Sequence, residues 1–396
     1  MVKRERYLHQ LRQFRDKQLI KVITGIRRCG KSTLLRLFQE ELLKEGVSGT
    51  QIVSVNFEDM DNHHLLDPAV LYEYVKERLH PEMTYVFLDE VQMVPSFERV
   101  VDSLFIKENV DVYITGSNAH MLSGEIATLL SGRYIEIEMM PLSFKEYVEA
   151  HPDQGNLPAL YKKYLTTSSF PYVLELGEDK ELIRAYLDGV FNTVIVKDIM
   201  TRKKIADVLM LKSVVRFIFD AIGSLISIKK ISDTMTSAGR KISVHTVESY
   251  LSGLMESYVI YQTKRYDVKG KQHLKTLEKY YLVDVGLRYY LLGKRQADQG
   301  HLLENVVYLE LLRRGYDVYI GKVDQYEIDF IALSSEETLY IQVAATVRDK
   351  NTLERELRPL QQLRDHHPKI VLTLDEDPEM NIEGIRIINA LEYLIK

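Results

Sequence analysis

Cysteine and long apolar segments are scarce in this chain. Cys29 is the single cysteine among 396 residues, which excludes an internal disulfide and a cysteine-based zinc site. No run of eighteen apolar residues occurs, so the sequence predicts no membrane-spanning helix. Residues 1–18 are charged throughout and lack the apolar core of a secretory signal. These absences together predict a cytoplasmic protein.

Charge is nearly balanced overall but unevenly distributed. The formal net charge is −5, yet residues 201–280 carry 15 Lys and Arg against 7 Asp and Glu. A basic block inside an acidic chain indicates an anionic partner such as nucleic acid, or else a lysine-rich face that is simply solvated.

The order of apolar and amphipathic stretches divides the chain into four segments. Residues 1–145 alternate short β-branched runs with amphipathic stretches, which predicts a parallel sheet with helices on both faces. Residues 146–204 are predicted to form a helical lid. Residues 205–291 hold three helical patterns followed by two β-rich pieces, the order of a winged helix. Residues 292–396 return to an α/β pattern, so the predicted fold class is α/β throughout except for the middle of the chain.

The clearest motif is GIRRCGKS at residues 25–32, between an apolar run and a helical pattern. Its glycines let backbone N–H groups curl around a phosphate, and the N-terminus of the following helix adds a positive end. Lys31 is placed to reach the β- and γ-phosphates, and the Ser32 hydroxyl to hold Mg²⁺. The motif predicts ATP as the ligand, bound by these residues: Gly25, Arg28, Cys29, Gly30, Lys31, Ser32 and Thr33.

A second motif, YVFLDEV at residues 85–91, is an apolar strand that ends in two acids. In P-loop enzymes an acid at the end of this strand lies beside the phosphate loop and holds the magnesium, which is the role predicted for Asp89. Glu90 is predicted to polarise the attacking water. A solvated acidic pair is the alternative, but the two motifs together favour a Mg²⁺-dependent ATPase.

Two further polar residues are candidates for catalysis. Ser117 follows the predicted strand VYIT and is placed to contact both the water and the γ-phosphate, although an ordinary turn gives the same pattern. Arg133 is a candidate for neutralising charge in the transition state, within this chain or from a neighbouring subunit. A surface ion pair is the alternative for Arg133.

Cys29 raises a separate hypothesis, because it lies inside the phosphate loop near a helix N-terminus and two arginines. Such surroundings lower the pKa of a thiol, and oxidation of a reactive thiol here would act as a brake on ATP binding. The alternative is a small residue that is tolerated at a free position of the loop.

Several segments, taken together, resemble one known group of proteins. The segments ITGIRRCGKSTLL, VNFED, FLDEVQ, ITGSNAHMLSGEIATLLSGRY and PLSFKEY are similar to AAA+-like P-loop ATPases. More narrowly, they resemble a bacterial and archaeal group in which an ATPase module is fused to a C-terminal domain of unknown function. The similarity continues in KYYLVDVGLRYYLLG, GHLLENVVYLELLRRGYDVY and EIDFIA, so it covers nearly the whole chain. It implies that residues 1–145 form an AAA+-like ATPase core.

The middle segment contains a candidate recognition helix that begins after Ser243, an N-cap candidate. Its predicted packing stripe consists of Val244, Val247, Leu251 and Leu254. Its opposite face has no Lys or Arg, which argues against reading of bases. The positive charge falls instead in the predicted wing and its loop: Lys264, Arg265, Lys269, Lys271, Lys275 and Lys279. This placement suits contact with a DNA backbone, while packing between domains is the alternative.

The terminal segment resembles the restriction-endonuclease-like fold, whose site has a helix acid, a strand acid and a second-strand acid followed two residues later by lysine. The resemblance assigns the first two roles to Glu304 and Asp329. The second strand has Gln342 and Ala344 where glutamate and lysine are expected. Three residues are candidates to compensate: Glu327, Lys322 and Lys369. We therefore expect a degraded nuclease fold that is kept for binding, rather than a working nuclease.

The sequence thus predicts an ATP-binding protein and ATPase, with three uses left open. In the first, hydrolysis drives a conformational change while residues 201–280 contact nucleic acid. In the second, ATP controls the interaction with a partner protein, as a switch with slow turnover. In the third, ATP is required for cleavage of DNA by the terminal domain. A homo-oligomer is compatible with each of these uses, and no membrane partner is expected.

Overall fold

The computed structural model describes residues 2–117, 130, 132–152, 154–270, 272–293 and 299–396. The chain divides into two compact units, Met1–Pro141 with Glu256–Tyr258, and Leu142–Met255 with Val259–Lys396. The first division falls close to the predicted boundary after residue 145. Apart from Glu256–Tyr258, the three segments predicted beyond that boundary lie together in the second unit.

The first unit contains a parallel sheet with the strand order β2-β3-β4-β1-β5. Its strands are β1 (Ile20–Thr24), β2 (Ile52–Asn56), β3 (Thr84–Asp89), β4 (Val110–Thr115) and β5 (Tyr134–Glu138). The predicted parallel sheet is therefore confirmed. Strand β5 is not among the four strands that the sequence predicts. It lies at an edge of the sheet, and acidic residues alternate with apolar ones along it.

Helices cover both faces of this sheet, as predicted. They are α1 (Glu5–Phe14), α2 (Lys31–Lys44), α3 (Pro68–Lys76) and α4 (Phe97–Phe105), with 3₁₀ turns at Gly49–Gln51, Met60–Leu66 and Val91–Met93. On one face Phe38 of α2 meets Phe87 and Tyr113, with ring centroids 6.4 and 5.3 Å apart. On the other face Leu71 of α3 and Val101 of α4 belong to a buried cluster with the sheet. Strands β1, β3 and β4 are buried at every residue, which explains their continuous apolar runs.

The second unit begins with helices. They are α5 (Phe144–Glu149), α6 (Leu157–Thr167), α7 (Lys180–Gly189), α8 (Asp198–Lys203), α9 (Val208–Asp220), α10 (Ile228–Ser237) and α11 (Val244–Glu256), with a 3₁₀ turn at Pro171–Leu176 and a π-helix at Val190–Lys197. Helix α11 starts as predicted, because the Ser243 hydroxyl accepts a hydrogen bond from the Thr246 N–H at 3.0 Å. Val247, Leu251 and Leu254 are buried, whereas Val244 is 45% exposed and does not belong to the packing stripe.

A mixed sheet of eight strands follows, in the order β12-β13-β11-β10-β9-β8-β6-β7. The strands are β6 (Ile260–Asp267), β7 (Gln272–Leu282), β8 (Asp317–Val323), β9 (Tyr326–Leu333), β10 (Thr338–Ala344), β11 (Lys369–Thr373), β12 (Met380–Ile382) and β13 (Ile385–Asn389). The remaining helices are α12 (Val285–Leu292), α13 (Gln299–Arg313), α14 (Lys350–Gln361) and α15 (Ala390–Ile395).

The position of β6 corrects the predicted division of the second unit. The sequence predicts β6 and β7 as the wing of a separate domain at residues 205–291. Instead, β6 pairs in parallel with β8, with Arg265 opposite Ile320 and Asp267 opposite Lys322. The hairpin is therefore part of the terminal sheet. Among the described residues, no helix is long and apolar enough to cross a membrane.

Candidate functional site

The phosphate loop lies between β1 and α2, in the strand–loop–helix context that the motif predicts. Gly25 and Gly30 have φ angles of +131° and +105°, which glycine adopts without strain. Gly25 also has no room for a side chain, because a Cβ there would lie 2.0 Å from the Met139 carbonyl oxygen. Arg28 takes a left-handed conformation, with φ at +69°, and is exposed. Gly25 and Gly30 thus have backbone conformations that residues with a side chain rarely adopt.

Lys31 is the first residue of α2, and its side chain folds back over the loop. Its ammonium donates to the carbonyl oxygens of Gly25 at 3.1 Å and Ile26 at 3.4 Å. It lies 3.7 Å from Glu90 Oε1, and Lys31 is only 4% exposed. The lysine that the sequence predicts as the phosphate ligand is therefore held inside the loop, next to the second acid of the YVFLDEV motif.

Asp89 ends β3 and lies beside the phosphate loop, as predicted. Its carboxylate accepts hydrogen bonds from the Ser32 side chain and from the Thr115 hydroxyl, the latter at 2.5 Å. Burial raises the pKa of Asp89, and these two hydrogen bonds oppose the rise. Ser32 and Asp89, the two predicted magnesium ligands, are thus brought into direct contact.

Glu90 follows Asp89 in a left-handed conformation with φ at +56°, which is costly for a residue other than glycine. The turn is held because the Glu90 N–H donates to Thr115 Oγ1 at 2.9 Å. Its carboxylate accepts from the Gln92 amide at 2.5 Å. The other amide atom, Gln92 Oε1, is buried and has no hydrogen-bond partner among the described residues. An unused acceptor beside a buried carboxylate fits a site that takes in a ligand or a water.

Thr115 is a site residue whose role sequence reasoning missed. It ends β4, the strand next to β3, so its hydroxyl reaches both acids: it donates to Asp89 and accepts from the Glu90 N–H. The available signal is its position, because the carboxyl ends of neighbouring parallel strands meet at one edge of a sheet. Ser117, the residue predicted for this role, instead accepts a hydrogen bond from Arg27 of the phosphate loop at 3.3 Å.

Arg133 lies at the opposite end of β1 from the phosphate loop. Its carbonyl accepts from the N–H of Ile20, the first residue of β1, at 2.8 Å. Its guanidinium forms an ion pair with Asp102 and lies 5.7 Å from the centre of the Phe105 ring. The surface ion pair is the arrangement observed, so a role for Arg133 at the phosphate site of its own chain does not fit this placement. A role in a neighbouring subunit stays a prediction.

Cys29 does not have the surroundings that the redox hypothesis requires. Its side chain is fully buried, and burial raises the pKa of its thiol rather than lowering it. The contribution of Lys31 in the opposite direction is smaller. Cys29 is therefore a small packing residue of the loop, which was the alternative interpretation.

Arg4 is a second residue that the sequence does not indicate. It is buried and left-handed, and its guanidinium donates to the Cys29 carbonyl at 3.0 Å and to the Met140 carbonyl at 2.6 Å. The Met140 N–H in turn donates to the Tyr7 hydroxyl at 3.1 Å. Arg4 thereby ties the phosphate loop to the segment that follows β5, and it acts as a positioning residue for the loop.

The second unit brings the predicted nuclease-like acids together, but around a buried lysine. Lys279 of β7 places its ammonium 2.8 Å from Glu304 Oε1, 2.9 Å from Glu327 Oε1 and 3.7 Å from Asp329 Oδ1. Lys279 is 3% exposed, so it does not belong to an exposed wing as predicted. Lys369 is not the compensating lysine, because its ammonium donates to the carbonyls of Leu363 and Asp365.

Gln342 also lies at this cluster, where it bonds to the protein itself. Its Oε1 accepts from the Asp329 N–H at 2.7 Å, and its amide donates to Glu356 Oε2 at 2.9 Å. The Val343 N–H donates to Asp329 Oδ2 at 2.9 Å. Burial, followed by repulsion from Glu304, raises the pKa of Asp329 to about 8. In the described residues, no group of three or more His, Cys, Asp or Glu has the geometry of a metal site.

The basic residues of the middle segment are distributed differently from the prediction. Lys269 pairs with Asp324 at 2.5 Å, and Lys264 is exposed on β6. The side chains of residues 271 and 275 lie outside the described part of the chain. Four further basic residues are exposed at the two ends of α10: Lys229, Lys230, Arg240 and Lys241.

Comparison with family models identifies two domains in the chain. Residues 17–148 match an AAA domain, and residues 158–298 match a domain of unknown function. The first match covers the parallel sheet and the phosphate loop of the first unit, which is thus similar to an AAA domain. The second match ends before β8, although β6 pairs with that strand.

Two relatives resemble the chain over most of its length, and both are called uncharacterized proteins. One, from Haemophilus influenzae, is 41% identical over 401 residues and covers 100% of this chain and 99% of the relative. The other, from Methanocaldococcus jannaschii, is 30% identical over 359 residues and covers 86% of this chain and 77% of the relative.

Solved structures give more distant matches. A Walker-type ATPase of Pyrococcus abyssi has a TM-score of 0.45 at 16% identity, covering 74% of this chain and 96% of that one. The Aeropyrum pernix Orc1 protein in complex with DNA has a TM-score of 0.35 at 14% identity, with coverages of 74% and 92%. AMPPCP-bound DnaA from Aquifex aeolicus has a TM-score of 0.32 at 14% identity, with coverages of 63% and 86%.

Proposed function

This chain belongs to one family with its Haemophilus and Methanocaldococcus relatives, and we propose that it is an ATPase that binds ATP together with Mg²⁺. We propose further that hydrolysis drives a conformational change of the protein on nucleic acid. The observation that carries the ATPase proposal is the contact of Ser32 with Asp89 directly beside Lys31 and Glu90.

The side chains of the site divide the work of hydrolysis. Lys31 leaves the Gly25 carbonyl to bind the β- and γ-phosphates, since the loop carbonyls hold it with only two hydrogen bonds. Ser32 and Asp89 supply the oxygens that hold Mg²⁺, which when bound neutralises charge on the phosphates. Glu90 orients the attacking water, and the free acceptor of Gln92 is available to a second hydrogen of that water.

Substitution of Glu90 by glutamine tests this division. We expect E90Q to bind ATP with the wild-type affinity but to lose turnover by about 10²- to 10⁴-fold, the range for loss of a general base. D89N is expected to bind Mg²⁺ more weakly as well, so that its turnover requires a higher Mg²⁺ concentration. The matched control is E77Q, which removes an exposed carboxylate of the same unit with a side chain 73% exposed.

Turnover and binding are measured separately, by release of phosphate and by titration of a fluorescent ATP analogue. Wild-type turnover in E90Q would contradict the assignment of Glu90. Equal loss of turnover in E90Q and E77Q would show that the assay reports stability and not chemistry.

The proposed use on nucleic acid is supported by the exposed basic residues at the ends of α10. A surface of this charge binds phosphates without reading bases, and each phosphate contact contributes about −0.9 to the slope of log K against log salt. We expect duplex DNA to raise ATP turnover, and a variant with Lys229, Lys230, Arg240 and Lys241 changed to glutamine to lose this response. The control is K44Q/K76Q, which removes two exposed lysines of the first unit.

The same assay distinguishes the alternative use. Absence of DNA stimulation, together with nucleotide-dependent retention of a partner protein, favours an ATP-gated switch with slow turnover.

A trans-acting Arg133 is tested by mixing R133A with E90Q chains, because active mixed oligomers would support a shared site.

A further inference from the structure

The restriction-endonuclease-like resemblance implies a divalent metal at Glu304, Asp329 and Gln342, and the residues do not fit that metal. We propose that the ammonium of Lys279 is the resident cation of a carboxylate centre formed by Glu304, Glu327 and Asp329, and that it keeps this centre closed to divalent metal ions. This inference concerns the second unit alone and does not depend on ATP hydrolysis.

The ammonium occupies the position that a metal would need. It lies 2.8 and 2.9 Å from one oxygen each of Glu304 and Glu327, with Asp329 at 3.7 Å. These are hydrogen-bond distances, whereas Mg²⁺ requires oxygens at about 2.0–2.1 Å in near-octahedral geometry. A metal could therefore enter only where Lys279 leaves.

The charge state of the lysine supports its role as a permanent cation. Burial alone favours the neutral amine, but the negative charge of the centre, to which Glu304 contributes most, outweighs burial and raises the pKa of Lys279. A buried charge is stable only when it is paired and hydrogen-bonded. The cluster and its lysine are therefore stable only together.

Other potential metal ligands are already engaged by the protein. Tyr281 donates to Glu304 Oε1 at 2.6 Å, so this oxygen accepts two hydrogen bonds. Asp329 Oδ2 accepts from the Val343 N–H, and Gln342 Oε1 accepts from the Asp329 N–H. Glu304 Oε1 accepts two hydrogen bonds and would have to give up one in order to coordinate a metal, and each of the other two oxygens has one lone pair already engaged.

The centre is also covered on the side of Glu304. A Cβ on Gly223 would lie 3.2 Å from Glu304 Oε2, so the backbone that follows α9 rests directly on this carboxylate. The glycine has φ at +68°, which this turn requires. Glu327, with a side chain 32% exposed, is the solvent-facing member of the centre. A phosphodiester therefore has no free approach to Glu304.

Thr263 is the cross-strand neighbour of Lys279 in the pairing of β6 with β7, so the two side chains share one face of the sheet. Thr263 is 1% exposed, which shows that this face is closed to solvent beside Lys279. Removal of the ammonium would leave the oxygens of Glu304, Glu327 and Asp329 around the vacated position.

Binding of Mn²⁺ to the full-length chain tests the proposal, followed by electron paramagnetic resonance and calorimetry. The measurement uses a D89N background, so that the phosphate site of the first unit does not contribute. We expect the D89N chain to bind no Mn²⁺ at the centre, and D89N/K279M to bind one Mn²⁺ per chain. K279R and K264M serve as controls, since the first keeps the charge and the second removes an exposed lysine; neither should gain the ion.

Three results would overturn the proposal. One is Mn²⁺ binding to the D89N chain that disappears on a further D329N change. Another is a folded K279M chain that gains no ion. The third is a gain of Mn²⁺ that survives E304Q, because the ion would then lie elsewhere. If K279M does not fold, the double variant K279M/E327Q is used in its place, because it leaves less unpaired negative charge at the centre. The comparison of D89N with D89N/D329N then shows by itself whether the native centre is closed to Mn²⁺.

Discussion

Replacement of Thr115 by valine tests how the two acids of the ATPase site are held. Valine has nearly the same shape as threonine but lacks the hydroxyl that donates to Asp89 Oδ1 at 2.5 Å and accepts from the Glu90 N–H at 2.9 Å. Asp89 then keeps the hydrogen bond from Ser32 but loses the one from β4. The Glu90 N–H is left without an acceptor in a turn that is already left-handed.

The magnitude follows from the two lost bonds. A hydrogen bond to a charged group contributes about 1.5–3 kcal/mol, and an unpaired buried N–H costs about 1–3 kcal/mol. We expect the free energy of unfolding of the first unit to fall by roughly 2–4 kcal/mol, because some relaxation of the turn recovers part of the sum. If about 1.5–3 kcal/mol is lost in the transition state, kcat falls roughly 10- to 150-fold.

The assay compares T115V with T115S, which keeps the hydroxyl. Turnover at saturating ATP is followed across a Mg²⁺ titration, and thermal unfolding and ATP affinity are measured on the same samples. T115V should show a lower kcat and a higher Mg²⁺ midpoint, with ATP affinity changed little, while T115S stays close to wild type. A folded T115V chain with wild-type kcat and Mg²⁺ midpoint would refute the role assigned to Thr115.

Two further predictions concern the loop support and the buried acid. R4M removes the donors to the carbonyls of Cys29 and Met140, so ATP affinity should fall by about tenfold and R4K should restore part of it, as titration of a fluorescent analogue would show. Asp329 has its pKa raised to about 8, against about 3.9 in an unfolded chain, so the folded state keeps a proton that the unfolded chain releases. Stability of the second unit should therefore fall as pH rises from about 4 to about 8 and level off above, and D329N should flatten this slope in denaturant unfolding. An equal pH slope in D329N, or unchanged ATP affinity in R4M, would contradict these two expectations.

The parts of the fold and site that the sequence predicts are those set by contiguous residues. The phosphate loop needs glycines at two strained positions and a lysine at the start of a helix, and all three requirements lie within residues 25–31. Asp89 and Glu90 follow directly from the end of an apolar strand. Continuous apolar runs predict β1, β3 and β4 because these strands are buried on both faces.

The parts that the sequence does not predict depend on which strands become neighbours. Thr115 meets Asp89 only because β4 lies beside β3 in the sheet. Arg4 reaches a carbonyl 136 residues away, which no local pattern encodes. Lys279 looks like an exposed wing lysine in the sequence, but its β7 position places it among three acids.

Burial and strand direction change the interpretation of two residues. Cys29 is near positive groups in sequence, yet desolvation dominates once the loop closes over it. Arg133 directly precedes β5, and its carbonyl accepts a hydrogen bond from the first residue of β1, at the end of that strand away from the phosphate loop. Their charge and their closeness in sequence to the motifs made these residues candidates for a functional role, but neither property predicts where their side chains lie.

The pairing of β6 with β8 has a consequence for how this protein is divided in the laboratory and in evolution. A fragment that stops at residue 298 would keep the pairing of Arg265, Tyr266 and Asp267 with β7 but lose their pairing with β8, and it would present a bare strand edge, the kind of surface on which chains aggregate. Gene truncation or recombination at that point splits one folding module in half. A cut after Pro141 keeps the terminal sheet whole, but it separates Glu256–Tyr258 from the first unit, to which they belong.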